Sequence, residues 1–500
     1  MKKYNAVVVG AGNGGICAAL ALAQAGLKPL VIERHNLAGG CAGSFVRGRF
    51  EFDISLHTLE YDTMFKPTFE GKMHLTETFP RVKPGLCNVY FENGEPKVEY
   101  YRCTEDLPEQ VEAKHPGNGR AFGRLMKTTK SVMEAFSELT GSEKPNFPKI
   151  VLKHPAFLRY AQKSVQQVIE AHKAPQYAGD LFSTYWWYGG EKPAKLPFAV
   201  YSVMSYSAFA GNVNFPEHTA HGYLAQVEAE IRKLGGDIWF NPAVTKINTK
   251  NGAVCSVETD RGDVIETNAV LCNINPGVVF DRMLTGADDL AEKYAGKYAP
   301  IKENFSFMTI YLGLDASAEE IGIKDHHCFI NENRDLNYVY DCCGSWDGPK
   351  TIGVNCPNIT IPGFSPEGTS IVTISVPVLG SVLEGLSQKE YVKKKREFEL
   401  EYVEKVERYL GIDLRSHIEE IDSMTPATLV HYAGLYNGAL GVLLDWENMS
   451  ANRAVTAELN KGAVKGLSFT GQFAGNLGYQ NSVEGYKVGE QVAKTVRGVK

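Results

Sequence analysis

Residues 5–33 read NAVVVGAGNGGICAALALAQAGLKPLVIE, and this stretch decides the fold. The apolar run Asn5–Val9 is typical of a buried parallel strand, and a helical pattern covers Ile16–Gln24. A second strand, predicted over Pro29–Ile32, ends in the acidic residue Glu33. Strand, glycine-rich turn, helix, strand and acid follow one another within about 30 residues, which is the order and span of a dinucleotide-binding unit.

The turn between the first strand and the helix is a GxGxxG motif whose glycines have distinct physical roles. Gly10 permits a tight turn, Gly12 allows the backbone to approach a pyrophosphate, and Gly15 allows helix and strand to pack closely. The helix N-terminus at Asn13 and Gly14 offers free backbone amides and a partial positive charge to phosphates. These residues are therefore candidate cofactor ligands.

The acid that ends the second strand completes the unit. Glu33 follows Gly15 by 18 residues, a spacing that places its carboxylate near the ribose hydroxyls of a bound dinucleotide. Arg34 is the next candidate contact. This unit alone leaves the choice between FAD and NAD open.

A second glycine pair follows at Gly39-Gly40-Cys41, ahead of Phe50-Glu51-Phe52-Asp53. A glycine pair so close to the ribose acid predicts that the backbone again passes near a phosphate or a flavin ring. Gly40 and Cys41 are the candidate contacts there.

Residues 7–57, from VVVGAGNGG through AGGC at 38–41 and FEFD at 50–53 to His57, resemble a known family. They are similar to the FAD-binding start of the phytoene desaturase, carotenoid isomerase and retinol saturase family, and most similar to its retinol saturase branch. This chain has Ser55 where the family usually has glycine. The resemblance implies FAD as the cofactor.

The resemblance also extends to a second segment. A predicted helix over Gly222–Leu234 leads to a predicted strand over Asp237–Phe240, and further strands run on to Asn273. In the family, a valine after this helix packs near the adenine, which implies that role for Val244. Asn273 is the candidate contact at the end of the segment.

The C-terminal segment resembles the closing motif of the family. A predicted strand, Leu467–Thr470, leads into a glycine-rich turn, and a helix is predicted over Ser482–Val496. In the family this turn lies against the flavin pyrophosphate, ribityl chain and ring. The implied contacts here are Gly471, Gln472, Gly478 and Tyr479. No cysteine follows Cys356, so we expect FAD to be bound non-covalently.

These segments predict an α/β fold in which a Rossmann-like FAD-binding domain is discontinuous and carries an inserted α+β substrate domain. We assign residues 1–75, 213–290 and 425–500 to the FAD-binding domain, 76–212 to a helical part of the substrate domain, and 291–424 to its sheet part. In the inserted domain, the residue patterns predict the helices Ala121–Leu139, Phe157–Ala171 and Lys389–Leu410. They also predict the strands Phe307–Leu314, Leu336–Tyr340, Thr351–Val354 and Thr369–Val376.

The function expected from this resemblance is redox or isomerisation chemistry on carbon–carbon double bonds of an apolar conjugated molecule, such as a carotenoid or retinoid. The aromatic residues around 182–209 suit an apolar tunnel or, equally, an ordinary core. His57, Glu60 and Tyr61, just beyond the second glycine pair, are the candidate proton donors. An external electron donor or acceptor of unknown identity is expected, because the chain holds a single GxGxxG motif.

Two alternatives remain open at this stage. A flavin amine oxidase needs an aromatic pair in front of the flavin, for which Tyr432 and Tyr436 are available. A flavin-free escort protein for prenyl groups or lipids shares the fold expected here, and a bound-flavin absorption spectrum would exclude it.

Composition excludes other classes. A net charge of −6 is too mild for a nucleic-acid partner, and no apolar run is long enough for a spanning helix. Met1-Lys2-Lys3-Tyr4 passes directly into the strand pattern, so we expect no secretory signal. The ten cysteines show no CxxC spacing, which favours a reduced cytoplasmic protein. His326-His327-Cys328 and Cys342-Cys343 are not expected to bind a metal, because strand neighbours point to opposite faces.

One stretch indicates contact with a membrane surface. Pro148–Ile169 mixes apolar residues with lysines and an arginine, as an interfacial helix does, although Pro155 interrupts it. An enzyme with an apolar substrate must collect it from some apolar phase, so we expect peripheral membrane contact.

Overall fold

The computed structural model describes residues 2–55, 58–140, 145–294, 305–435, 438, 454–472 and 478–498. These residues form a Rossmann-like α/β domain, assembled from separate parts of the chain, and an inserted α+β domain. The predicted fold class is confirmed.

The Rossmann-like domain is built on five parallel strands, which we call the dinucleotide sheet. In spatial order its strands are Leu467–Phe469, Val270–Cys272, Ala6–Val9, Pro29–Glu33 and Asp237–Phe240. The central strand is fully buried, as its unbroken apolar sequence predicts. Strands from both ends of the chain and from its middle therefore meet in one sheet.

Three helices cover one side of this sheet. Asn13–Gln24 packs against Thr219–Lys233 and, most extensively, against Gln480–Arg497. The C-terminal helix comes so close that a Cβ atom on Gly485 would lie 2.1 Å from the carbonyl oxygen of Gly14. This contact holds the C-terminal segment against the GxGxxG turn.

A second five-stranded sheet flanks the dinucleotide sheet. Its strands, in spatial order, are Lys2–Lys3, Val264–Glu266, Ala253–Thr259, Val244–Lys250 and Leu284–Thr285. A separate two-stranded hairpin joins Ser44–Arg47 to Phe50–Asp53. That hairpin carries the chain from the second glycine pair towards the inserted domain.

The inserted domain contains a seven-stranded sheet, which we call the cavity sheet. Its strands, in spatial order, are Ile418–Met424, Phe305–Leu314, Ser370–Leu379, Thr351–Asn355, His327–Asn331, Gly85–Glu92 and Glu95–Arg102. The last two form a hairpin inside the region assigned to helices, so that region also contributes to the sheet. The predicted strand Leu336–Tyr340 is wrong. The helix Leu336–Asp341 forms there, because the Asp335 side chain accepts hydrogen bonds from the backbone amides of its first turn.

Helices complete the inserted domain. They are Leu107–Lys114, Gly119–Thr140, Phe147–Lys153, Pro155–Tyr160, Val165–Ala171, Gln176–Ser183, Phe198–Phe209, Ala318–Ile321 and Gln388–Leu410. Further short helices are Lys66–Phe69, which packs in the core of the Rossmann-like domain, Pro276–Val278, Asp288–Tyr294 and Pro426–Ala433. The predicted single helix Phe157–Ala171 is wrong. It is divided at Ser164, which begins a new helix through a capping box with Gln167. Within the described ranges, no helix has the length and apolar character needed to cross a bilayer.

Candidate functional site

A cavity of about 670 Å³ opens where the strands of the dinucleotide sheet end. It begins beside Val9 and Glu33, at the carboxyl ends of two neighbouring strands, and reaches the cavity sheet at Thr309 and His327. Ligands of open α/β sheets bind at this edge. The cavity therefore joins the predicted nucleotide site to the inserted domain.

The glycines of the first turn are required by close packing. Gly10 has a φ of +93°, and a Cβ atom on Gly15 would lie 2.0 Å from the Gly10 carbonyl oxygen. A Cβ atom on Gly12 or Gly14 would lie within 2.7 Å of the Asn273 side-chain amide. The helix and the strand can therefore approach each other only with these glycines.

Two buried amide groups in this part of the cavity have donors without a partner among the described residues. They are Asn13 Nδ2 and Gln472 Nε2. The Tyr223 hydroxyl donates to Asn13 Oδ1 at 2.7 Å, which leaves the NH₂ group of Asn13 for another acceptor. The helix Asn13–Gln24 also has no side-chain cap at its N-terminus. Unpaired donors at the uncapped helix start and, in Gln472, on the turn after Leu467–Phe469 fit the phosphate and ribityl oxygens of a flavin dinucleotide.

The Glu33 carboxylate is fixed at the end of its strand. Its Oε2 accepts the amide of Ala11 at 2.7 Å, and its Oε1 accepts the amide of His35 at 2.8 Å. Each carboxylate oxygen has a further lone pair for a ribose hydroxyl. Arg34, on the same rim, donates to the carbonyl oxygens of His431 and Tyr432, both at 3.3 Å.

The second glycine pair lies farther along the cavity. Gly40–Ala42 forms one 3₁₀ turn, and burial raises the pKa of the Cys41 thiol to about 12, so the thiol is protonated at neutral pH. The hydroxyl of Ser55, which replaces the glycine of the family, donates to the Cys41 carbonyl. Ser55 thus ties the hairpin to this turn.

Fourteen of the fifteen predicted cofactor contacts line the cavity. They are Gly10, Gly12, Asn13, Gly14, Glu33, Arg34, Gly40, Cys41, Val244, Asn273, Gly471, Gln472, Gly478 and Tyr479. The fifteenth, Gly15, lies behind them against Gly10, where the motif requires it for packing. Three distant parts of the chain therefore meet around one cavity.

The three predicted proton donors have different positions. Glu60 lines the cavity. Tyr61 does not: its ring stacks on Phe79 at 4.3 Å between centroids, and its hydroxyl donates to Glu70 at 3.1 Å, away from the cavity. His57 lies outside the described residues.

The far end of the cavity has an aromatic and aliphatic wall. Tyr185, Trp187 and Tyr188 line it, while their neighbour Trp186 is fully buried in the core. Further apolar wall residues come from helix Phe198–Phe209 and from the cavity sheet: Val200, Val203, Met204, Phe305, Phe307 and Met424. The aromatic stretch thus serves both as cavity wall and as core.

Polar residues of the cavity sheet were missed at the sequence level. Thr309, Ser375 and His327 line the cavity, and the Thr309 and Ser375 hydroxyls lie 3.0 Å apart. Strand alternation places His327 and Phe329 on one face, but the order of the strands decides whether that face meets the cavity. In the parts of the chain that the structure describes, no group of three His, Cys, Asp or Glu side chains could hold a metal ion.

The aromatic pair considered for an amine oxidase is only partly described. Tyr432 lines the cavity beside Arg34, at its Glu33 end. Tyr436 lies outside the described residues.

Comparison with known proteins supports the same assignment. Residues 8–66 match the model of the NAD(P)-binding Rossmann-like domain family. Prolycopene isomerase 1 of an Oncidium hybrid is 24% identical over 88% of this chain and 75% of its own. Phytoene desaturase of Neurospora crassa is 23% identical over 90% and 78%, and all-trans-retinol 13,14-reductase of Danio rerio is 22% identical over 96% and 84%.

The chain is related to the phytoene desaturase, carotenoid isomerase and retinol saturase family. The resemblance predicted from the N-terminal motifs is confirmed. Solved structures show the same fold. A redesigned putrescine oxidase has a TM-score of 0.65 at 14% identity, covering 99% of both chains. Cyclohexylamine oxidase of Brevibacterium oxydans has a TM-score of 0.61 at 12% identity, also over 99% of both.

Proposed function

We propose that this protein is an FAD-dependent oxidoreductase that acts on carbon–carbon double bonds of an apolar conjugated substrate, a polyene of the carotenoid or retinoid type. The observation that carries the proposal is the continuous cavity. It leads from the glycine-rich end of the dinucleotide sheet to an aromatic wall in the inserted domain. The relatives named for carotenoid and retinol substrates support the same class of molecule.

The residues at the glycine-rich end fit non-covalent FAD. Glu33 would hold the ribose hydroxyls, and the first-turn amides with Asn13 and Gln472 would hold the phosphates and ribityl chain. Bound FAD supplies hydride transfer to or from carbon. The aromatic wall would exclude water and hold the conjugated chain in the same cavity.

A saturation reaction also needs a proton for the second alkene carbon. Glu60 is the predicted donor with a described position in the cavity wall. A Glu60→Gln substitution should lower the rate of saturation by about a hundredfold or more, while polyene binding changes little, because the amide keeps the shape and loses the acidic proton. An unchanged rate would remove Glu60 from the reaction.

The reaction is tested by anaerobic incubation of FAD-loaded protein, oxidised or reduced with dithionite, with a panel of polyenes and enones. A gain of two hydrogens indicates saturation, a loss of two indicates desaturation, and a changed retention time at constant mass indicates isomerisation. Hydrogen peroxide formed with amines, and no polyene product, would instead support an amine oxidase. An external donor or acceptor closes the electron balance of saturation or desaturation.

We also propose that an apolar substrate reaches the cavity from a membrane surface. Residues 145–163 carry four basic side chains and no acidic ones, in a chain with a net charge of −6. Leu152, Leu158 and Phe147 on these short helices are 86%, 64% and 46% exposed. Both helices pack on Gly119–Thr140, which contributes Phe136 to the cavity wall. Exposed apolar side chains among lysines and an arginine fit an anionic lipid surface.

Flotation with vesicles tests this surface. The protein should float with phosphatidylcholine vesicles that contain phosphatidylglycerol, and the Leu152→Glu/Leu158→Glu variant should lose about nine-tenths of this binding. Leu400→Glu is the matched control, because Leu400 is 54% exposed on the distant helix Gln388–Leu410. No flotation, or equal losses in both variants, would contradict the proposal.

The cysteines support a reducing compartment. All ten are free thiols. We therefore propose a cytoplasmic protein that contacts the membrane peripherally.

A further inference from the structure

The cavity sheet has two faces of different chemistry. One face packs Ile310, Ile374, Val354 and Ile330 into a core with the helix Gln388–Leu410. The register places a different set of side chains on the opposite face, which closes the cavity. This set mixes aromatic side chains, such as Phe307 and Phe329, with polar ones. The polar members are Thr309, Ser375, Thr373, Asn355 and His327, of which Thr309, Ser375 and His327 line the cavity.

A cavity that took only hydrocarbon would have no use for these groups. Burying a polar group costs free energy unless it gains a hydrogen-bond partner, and the opposite face shows that Val and Ile fit the same strands. Thr309 is hydrogen-bonded to Ser375, and Asn355 to His327, so the second ring nitrogen of His327 is the group that points to a polar atom in the ligand.

Among these polar residues, His327 is the one that presents a hydrogen-bond acceptor to the cavity. Its Nδ1 is hydrogen-bonded to Asn355 Oδ1. A carboxamide oxygen can only accept, so Nδ1 carries the proton. Burial lowers the pKa of His327 to about 4, so the ring is neutral at pH 7 and Nε2 has a free lone pair. No partner for Nε2 occurs in the described part of the chain.

A row of aromatic rings begins beside the His327 ring. The Phe329 ring lies 6.4 Å from the His327 ring and 5.7 Å from Trp187, between centroids, and Trp187 lies 5.4 Å from Phe307. An apolar chain packed along Trp187 and Phe307, which line the cavity, would meet a hydrogen-bond acceptor at His327. Thr309 and Ser375 cannot share that contact, because Ser375 lies two strands away, about 10 Å across the sheet.

We propose that His327, held by Asn355, accepts a hydrogen bond from a hydroxyl group on the otherwise apolar substrate. The proposal rests on the function proposed above and assigns the substrate to the alcohols of that class. An ammonium group could also donate. However, the strands of the cavity sheet contribute no carboxylate to the described cavity lining, and a buried cation needs one. A hydroxyl group is therefore the better match.

Three ligands with one carbon skeleton test the subsite: geranylgeraniol, its methyl ether and geranylgeranylamine. Their binding to FAD-loaded protein is followed by quenching of tryptophan fluorescence, so no turnover is needed. The alcohol should bind about five- to tenfold more tightly than the ether, because the ether cannot donate a hydrogen bond.

Variants show which residue makes the alcohol bind more tightly than the ether. His327→Phe should abolish it and leave ether affinity and FAD content unchanged, which also shows that the variant is folded. His327→Gln, which keeps an acceptor, should retain part of it, and Asn355→Leu should reduce it, because Nδ1 then loses the acceptor that fixes the ring. His417→Phe, at a distant exposed site, is the control.

Each outcome decides a separate point. Equal binding of alcohol and ether by the unmodified protein would overturn the inference and leave the proposed function standing. Tighter binding of the amine would replace the hydroxyl with an ammonium group and overturn the inference. If none of the three ligands binds, the cavity does not take apolar chains, and the proposed function fails as well.

Discussion

The two ends of the cavity are built in different ways. At the nucleotide end, backbone amides, glycines, the Glu33 carboxylate and the side-chain amides of Asn13 and Gln472 form the wall. At the cavity sheet, aromatic rings, hydroxyls and His327 form it. A wall made of backbone is encoded by a local glycine pattern, whereas a wall made of side chains depends on which strands pair. In the function proposed above, the first end would hold the cofactor and the second would hold the substrate.

The carboxyl of Asp53, which ends the hairpin between these two ends, gives the largest expected effect. Burial raises the pKa of this carboxyl to about 7, although the hydrogen bond that it accepts from the Ala220 amide acts in the opposite direction. The folded protein therefore holds this proton more tightly than the unfolded chain, and the resulting stability is lost as pH rises towards 7. Between pH 5 and pH 8, the free energy of unfolding of the Asp53→Asn variant, measured in urea, should rise by about 3 kcal/mol relative to that of the unmodified protein.

Only the change with pH is diagnostic here, because the substitution also alters packing equally at every pH. Stability curves of the two proteins that run parallel from pH 5 to pH 8 would contradict a buried, protonated Asp53.

At the nucleotide end, a single methyl group should be enough to disturb the cofactor. Gly12→Ala places a Cβ atom 2.6 Å from Asn273 Nδ2, beside the expected path of the pyrophosphate. We expect FAD affinity, measured by titration of the apoprotein, to fall about a hundredfold. Gly363→Ala is the matched control, because open space surrounds that position and its φ is not left-handed. Similar affinities in both variants would place the cofactor elsewhere.

At the cavity sheet, the same kind of small change should leave the cofactor unaffected. Thr309→Val removes the hydroxyl that lies 3.0 Å from Ser375 Oγ, with little change of shape. The free energy of unfolding, measured in urea, should fall by about 1 kcal/mol, and FAD affinity should stay within about twofold of that of the unmodified protein. A tenfold loss of FAD affinity would show that the two ends are not separate.

The same contrast explains what the sequence predicted. The motif glycines, Glu33 and the C-terminal turn follow local patterns, so the sequence alone could identify fourteen residues that line the cavity. The hairpin from Gly85 to Arg102 could not, because it pairs with a strand more than 200 residues later. His327 was missed for the same reason: its position on the cavity depends on strand order, which a single sequence does not state.

The central claim is that three distant segments bind one FAD through the glycine-rich end of the cavity. The most direct test is the absorption spectrum of the purified protein, before and after addition of FAD, with release of the flavin by denaturation. The account predicts the visible bands of an oxidised flavin, with one FAD per chain released intact. A colourless protein that takes up no added FAD would contradict it.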